Sequence, residues 1–291
     1  MSTLNLRPVD TSSSSSSSKT KAIPSPSSLK PWDCSYASSP DGKDVNLLIM
    51  LHGLGDTKTS FFNLAKQLNL PSTAVLSLSA PDPLPLMDSP SFSWYPTFTS
   101  QFDPLPLSSQ NPTKPISALR SLLSTLTSPS IGWKLEDIHL FGWGQGGTTV
   151  LELGLDIGRN PLAPPSVASS STTMATETKE ESIGGKRLGS IVCVCAGLLT
   201  HPTLQLRIAT PILWFNRLPP NSAIHQKTLT ILKRAYREVQ VVQGQQGQDS
   251  NAEAMPRGTE EWWGIMKFWG QVLGRANEGW KGQGEVFEVI R

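Results

Sequence analysis

Across 291 residues, 25 Lys and Arg stand against 23 Asp and Glu, a formal net charge of +2. The basic residues form no patch with interleaved aromatics, which excludes the electrostatic footprint of a nucleic-acid binder, and no stretch reaches the length of a membrane span. Three cysteines with no evident pairing, and no signal peptide, point to a reducing compartment, the cytosol first and the nucleus second.

In chain order, residues 1–30 carry a serine tract (12–18) and almost no large apolar residues. They are expected to form a disordered tail dispensable for folding, ahead of a single domain over 31–291. Arg7, Lys19, Lys21 and Lys30 weakly resemble the basic residues of a transit peptide, but Asp10 and the lack of an amphipathic pattern argue against one. Hydrophobic periodicity predicts a strand at 45–51, a helix at 58–69 and a strand at 74–79, then proline-rich loops at 80–90 and 101–115. A helix at 115–127, a strand at 137–142 and a helix at 145–158 follow. The stretch 160–187 is a second low-complexity segment, expected to be a disordered insertion. Beyond it come strands at 189–196 and 210–215, a helix at 223–237, a strand at 238–243 and a helix at 259–274. Strands alternating with helices imply an α/β fold, a mainly parallel sheet flanked by helices on both faces. The two low-complexity segments leave about 230 residues for it, enough for a sizeable core. In the last helix Trp262, Ile265, Trp269 and Val272 share a core-facing stripe, while Trp263 falls off it and, with Met266, offers an exposed apolar patch.

The chemistry-bearing run is FGWGQGG (141–147), which lies between an apolar strand and a helix. Strand, glycine-flanked turn and helix is the setting of the G-x-S-x-G nucleophile elbow, in which a serine is lifted above the sheet. Here Gly144 stands at the centre, without a side chain. Closely spaced glycines before a helix also suit a phosphate, but neither a G-K-[ST] ending nor a full G-x-G-x-x-G frame is present. Cys193 and Cys195 are expected on one face of a strand as buried thiols, since no second Cys or His pair is near enough to make a zinc site. No cofactor and no metal is expected.

LHGLGDTKTSF (51–61), SFSWYP (91–96), GWGQGG (142–147) and TPIL (210–213) together resemble the acyl-protein thioesterase and small carboxylesterase (phospholipase/carboxylesterase) family of α/β-hydrolases. The resemblance implies the α/β-hydrolase fold and an ester or thioester substrate. It also implies an oxyanion hole made by the backbone N–H groups of Leu54 and Gln145, framed by the turn glycines Gly53, Gly55, Gly142, Gly146 and Gly147. Those glycines are equally expected from turn geometry and close packing alone.

Where the resemblance implies a triad acid after the late strand, WFNRLPPNSAI (214–224) has none. Where it implies the triad histidine, QQGQDSNAEAMPRG (245–258) has none. Serine attacks, imidazole carries the proton and the acid holds the imidazole; all three positions are unfilled. Of the four histidines, His52 belongs to the glycine-rich turn and His139 to the strand before the elbow. His201 and His225 are the remaining candidates for a base, and Asp249 and Ser250 read as a polar loop. The expectation is an inactive homologue that binds an acyl group or an acylated protein, its carbonyl or carboxylate at Leu54 and Gln145. Two alternatives stay open: an esterase or palmitoyl-protein thioesterase working through displaced residues, and an interaction scaffold without a small ligand.

Overall fold

The computed structural model describes residues 5–8, 21–25, 27–85, 87–99, 101, 103–163, 187–245, 253–275 and 287–290. Its strands are β1 (Asn5–Pro8), β2 (Cys34–Ala37), β3 (Asn46–Leu51), β4 (Thr73–Leu78), β5 (Asp82–Pro83), β6 (Phe92–Ser93), β7 (Ile138–Trp143), β8 (Ser190–Val194), β9 (Ile212–Asn216), β10 (Val239–Gln243) and β11 (Phe287–Ile290). The α-helices are α1 (Lys58–Leu68), α2 (Thr113–Leu126), α3 (Gln145–Arg159), α4 (Ala223–Ala235) and α5 (Gly258–Val272).

Seven strands form the central sheet in the order β10-β9-β8-β7-β3-β4-β2. β2 runs antiparallel to β4, and the neighbouring pairs from β10 to β4 are all parallel. Strands β3, β4, β8 and β9 are buried along their whole length, as expected where helices cover both faces of a parallel sheet. On one face α2, α3 and α4 contribute Leu122, Leu151 and Leu232 to the larger core. On the other, Phe61 of α1 and Phe268 and Trp269 of α5 pack over Phe141 and Phe215. From β3 the chain moves outward to β4, then returns to β7 on the opposite side. That reversal places a topological switch point between β3 and β7, and such sheets bind ligands outside the carboxyl ends of the strands there.

Capping marks the helix starts. Thr57 accepts from the Thr59 N–H at the head of α1, and Ser222 accepts from the His225 N–H at the head of α4. At the head of α3 the N-cap residue is Gly144, and no side chain caps the helix.

Several expectations need correction. The segment 1–30 does not stand wholly apart from the domain. Leu29 is 2% exposed within the main core. Lys21 lays its ammonium over the Trp133 ring and donates to the Val45 carbonyl at 2.8 Å, and β1 pairs antiparallel with β11. A composition averaged over thirty residues conceals one well-placed leucine and one lysine whose stem packs while its head finds acceptors. The serine tract lies outside the described residues. The insertion begins later than 160, because Leu162 is a core residue; positions 164–186 lie outside the described residues. The strand expected at 189–196 ends at Val194. Cys195 sits past the end of that strand with φ +51°, which breaks the alternation. Cys193 therefore packs into one core and Cys195 against the other. On α5, Trp263 is 68% exposed, but Met266 packs against the core and forms no exposed patch with it.

Leu29→Ala should lower the unfolding free energy by about 2–5 kcal/mol, the range for a truncated core leucine. Urea unfolding followed by circular dichroism reads this directly. A change below about 0.5 kcal/mol would place Leu29 outside the core.

Candidate active site

The turn after β7 is held by contacts that only glycine permits. A Cβ on Gly142 would stand 2.4 Å from the Gly146 carbonyl oxygen, and one on Gly146 would stand 2.4 Å from the His52 carbonyl oxygen. The β7–α3 elbow thus presses backbone against backbone on the turn that follows β3. At its apex Gly144 has φ +52° and ψ −117°, a left-handed conformation costly for a residue with a side chain. Among the described residues, and apart from Gly144 itself and its two chain neighbours, no heavy atom lies within 4 Å of where its Cβ would be.

The three motif segments form one hydrogen-bonded unit. Gln145 is buried; its Oε1 accepts from the Trp94 N–H at 2.7 Å and its Nε2 donates to the Tyr95 carbonyl at 2.6 Å. Trp94 Nε1 in turn donates to the His52 carbonyl at 2.8 Å. His52 Nε2 accepts from the Ala80 N–H at 2.9 Å, so its proton resides on Nδ1, which donates to the Gly53 carbonyl at 2.6 Å. Burial lowers the His52 pKa, and with both ring nitrogens engaged it is a structural residue. His139 is likewise buried in β7. Burial lowers its pKa to about 4, and its Nδ1 faces Ser190 Oγ at 2.8 Å.

Above this unit opens a cleft of about 880 Å³ lined by Leu54, Gly144 and Gln145, with Tyr95, Leu198 and Trp214 among its apolar walls. Among the described residues no acceptor engages the N–H of Leu54 or of Gln145. The first N–H groups of a helix have no intrahelical partner, and without a side-chain cap on α3 that of Gln145 remains free. Two expected residues, Leu54 and Gln145, are therefore brought to one cleft with Gly144 between them in the chain fold.

The segments that follow β9 and β10 are engaged in interactions of another kind. After β9, the turn from Arg217 to Ser222 carries no carboxylate. Arg217 instead turns beneath the loop that follows β10. Its Nη1 and Nη2 meet Glu261 Oε1 and Oε2 at 2.7 and 2.6 Å, and it donates further to the carbonyls of Gln245, Ala254 and Met255. Both side chains of the pair are less than 7% exposed. Burial alone would raise the Glu261 carboxyl. The hydrogen bonds from Arg217 and from the Arg257 and Gln245 N–H groups outweigh it and hold the pKa below the usual 4.5. Resuming at Glu253, the same loop is tied to the elbow, since Trp143 Nε1 donates to the Glu253 carbonyl and Cys195 Sγ to the Ala254 carbonyl. Asp249 and Ser250 lie outside the described residues.

Of the remaining histidines, His201 is exposed and lines the cleft. His225 is buried on α4, its Nδ1 bonded to Asn216 Oδ1 at 3.1 Å and its ring 5.0 Å from that of Trp214. Cys195 also lines the cleft. Burial pushes its thiol up to about 12 despite the opposing pull of Arg217, so the thiolate that attacks or ligates is scarce near neutral pH. Sequence reasoning read Cys195 only as a buried thiol and missed Asn216 and the Arg217–Glu261 pair. An arginine directly after the late strand was the one available signal for that pair.

The family model described as Phospholipase/Carboxylesterase matches residues 33–190. The chain belongs to this phospholipase/carboxylesterase family. An uncharacterized hydrolase of Mycosarcoma maydis is 32% identical over 263 residues, 87% of this chain and 86% of that protein. An uncharacterized hydrolase of Schizosaccharomyces pombe is 35% identical over 116 residues, 38% of this chain and 47% of its own length. Among solved structures, esterase PE8 matches with a TM-score of 0.59 at 15% identity, and Zea mays acyl-protein thioesterase 2 with 0.53 at 19%. Each alignment covers 83% of this chain and 99% of the other. The shared fold is thus the α/β-hydrolase fold, with the cleft at the end of the sheet where this family's motif segments meet.

Removing one partner of a buried ion pair costs about 3–5 kcal/mol, and Glu261→Gln is expected to fall in that range at about pH 7. Because the folded carboxyl titrates below 4.5, the pair contributes fully above the unfolded value and is lost as pH falls through the folded one. The gap between wild type and variant in urea unfolding should therefore narrow progressively as pH falls below the usual carboxylate value of 4.5. A gap that stays constant as the pH is lowered until the folded carboxyl is protonated would contradict the assignment.

Proposed function

We propose that this member of the family binds an acyl group, free or on a protein, without hydrolysing it. Gly144 carries the reading, because the elbow keeps its backbone geometry and its two uncommitted N–H donors while the nucleophile is absent. Loss of either serine or histidine from a hydrolase triad lowers turnover about a million-fold, and the remaining hole and binding supply only about a thousand-fold over water. Substitute chemistry finds little support. The Cys195 thiol is pushed up rather than down and donates to a carbonyl instead of an imidazole. His225 faces Asn216, and His52 and His139 are committed to the fold. The apolar walls, with Leu218, Ile224 and Ile231 beyond Trp214, suit an alkyl chain.

The test is direct. Purified protein should hydrolyse short nitrophenyl esters and acyl thioesters no faster than the level set by an oxyanion hole alone, and a fluorophosphonate probe should leave it unlabelled. Gly144→Ser should not restore turnover, because a serine hydroxyl needs an adjacent base. That variant should also lose about 1–3 kcal/mol of stability to the left-handed backbone at 144. Stoichiometric probe labelling of the wild type, or turnover by the single variant about a hundredfold above background, would overturn the proposal.

A further inference from the structure

We infer that the cleft is built for a free carboxylate, the headgroup of a fatty acid anion, in preference to an ester or thioester. This rests on the acyl-binding reading above and narrows its ligand. The N–H groups of Leu54 and Gln145 are without acceptors among the described residues, and Gln145 opens the 15-residue helix α3, whose N-terminus favours negative charge. The space a side chain at position 144 would fill is open, which leaves room for a second oxygen beside the first. A carboxylate offers two charged oxygens with about four acceptor sites. An ester or thioester offers one good acceptor and one poor one.

An independent observation comes from Asn216, the last residue of β9, which lines the cleft and is 1% exposed. Its Oδ1 accepts from the Leu218 N–H at 3.1 Å and faces His225 Nδ1 at 3.1 Å. The Leu218 N–H can only donate, so the oxygen must be the atom on that side and the planar amide turns Nδ2 the other way. Among the described residues Nδ2 has no hydrogen-bond partner. A buried donor without an acceptor is costly, and an anionic acceptor in the cleft is the ligand chemistry that would relieve it. The charged side chains among the described lining residues are Lys227 and Glu253, which balance. The preference therefore comes from three N–H donor groups and a helix end, not from net charge.

Titration calorimetry with a long-chain fatty acid, its methyl ester and the matching alcohol, each kept below its micellar concentration, tests this. The acid should bind at least about tenfold more tightly than the ester, as charge-assisted hydrogen bonds are about twice as strong as neutral ones. Asn216→Asp keeps the shape, removes both Nδ2 protons and adds a negative charge. It should weaken acid binding at least about tenfold and leave ester binding within about twofold. Gly144→Ala, which fills the second oxygen's space without touching Asn216, should also erase the advantage of the acid, so the inference survives a failure of the first variant to fold. Equal binding of acid and ester, or an advantage that survives both substitutions, would overturn the inference while the acyl-binding reading stands. If none of the three ligands binds, the acyl-binding reading falls with it.

Discussion

Close backbone contact at the elbow is the constraint on which the site depends. Without side chains at Gly142 and Gly146, β7 and α3 approach the turn after β3 until main-chain atoms touch. This closeness puts the heads of two turns, Leu54 and Gln145, into one cleft at the switch point of the sheet. A Cβ on Gly146 would overlap the His52 carbonyl and push the two turns apart, and one on Gly142 would overlap the Gly146 carbonyl and open the elbow itself. Gln145 then locks the third segment by bonding the Trp94 and Tyr95 backbone, so the motif residues around Gly144 act first as architecture.

Architecture and chemistry are thus separable in this fold. Backbone donors and glycines belong to the turns themselves, whereas serine, histidine and acid are side chains that can be exchanged without moving a strand. In this chain the segments after β9 and β10 are held by a buried ion pair and its neighbours. Arg217 satisfies its donors on Glu261 and three carbonyls, and Trp143 and Cys195 tie the same loop to the elbow and to the end of β8.

Much of the fold was legible because its signals are local. The apolar run LLIML reads as a buried strand and the glycine-flanked GWGQGG as a turn, and the helix after it is amphipathic enough to be bounded within a residue of Gln145–Arg159. Features set by long-range packing were not legible. CSYA is too short to show alternation, so the antiparallel edge strand β2 escaped notice. Leu29 is buried by contacts with a core formed elsewhere in the chain, and Cys195 leaves its strand through a positive φ that its side chain does not signal. At the site, the motifs pointed to Leu54 and Gln145, and the structure places both on the cleft. Arg217 and Glu261 lie 44 residues apart, and neither pattern nor spacing connects them. Asn216 likewise became visible as a cleft residue only when the amide's partners were placed around it.

The central claim is that the cleft holds an acyl group and leaves it intact. Incubating the protein with a stoichiometric palmitoyl thioester, then following both the ligand and the intact protein by mass spectrometry, tests it most directly. The account predicts that the thioester is recovered unchanged and that the protein mass does not shift. Release of the free thiol in step with the protein concentration, or an acyl adduct on the chain, would contradict it.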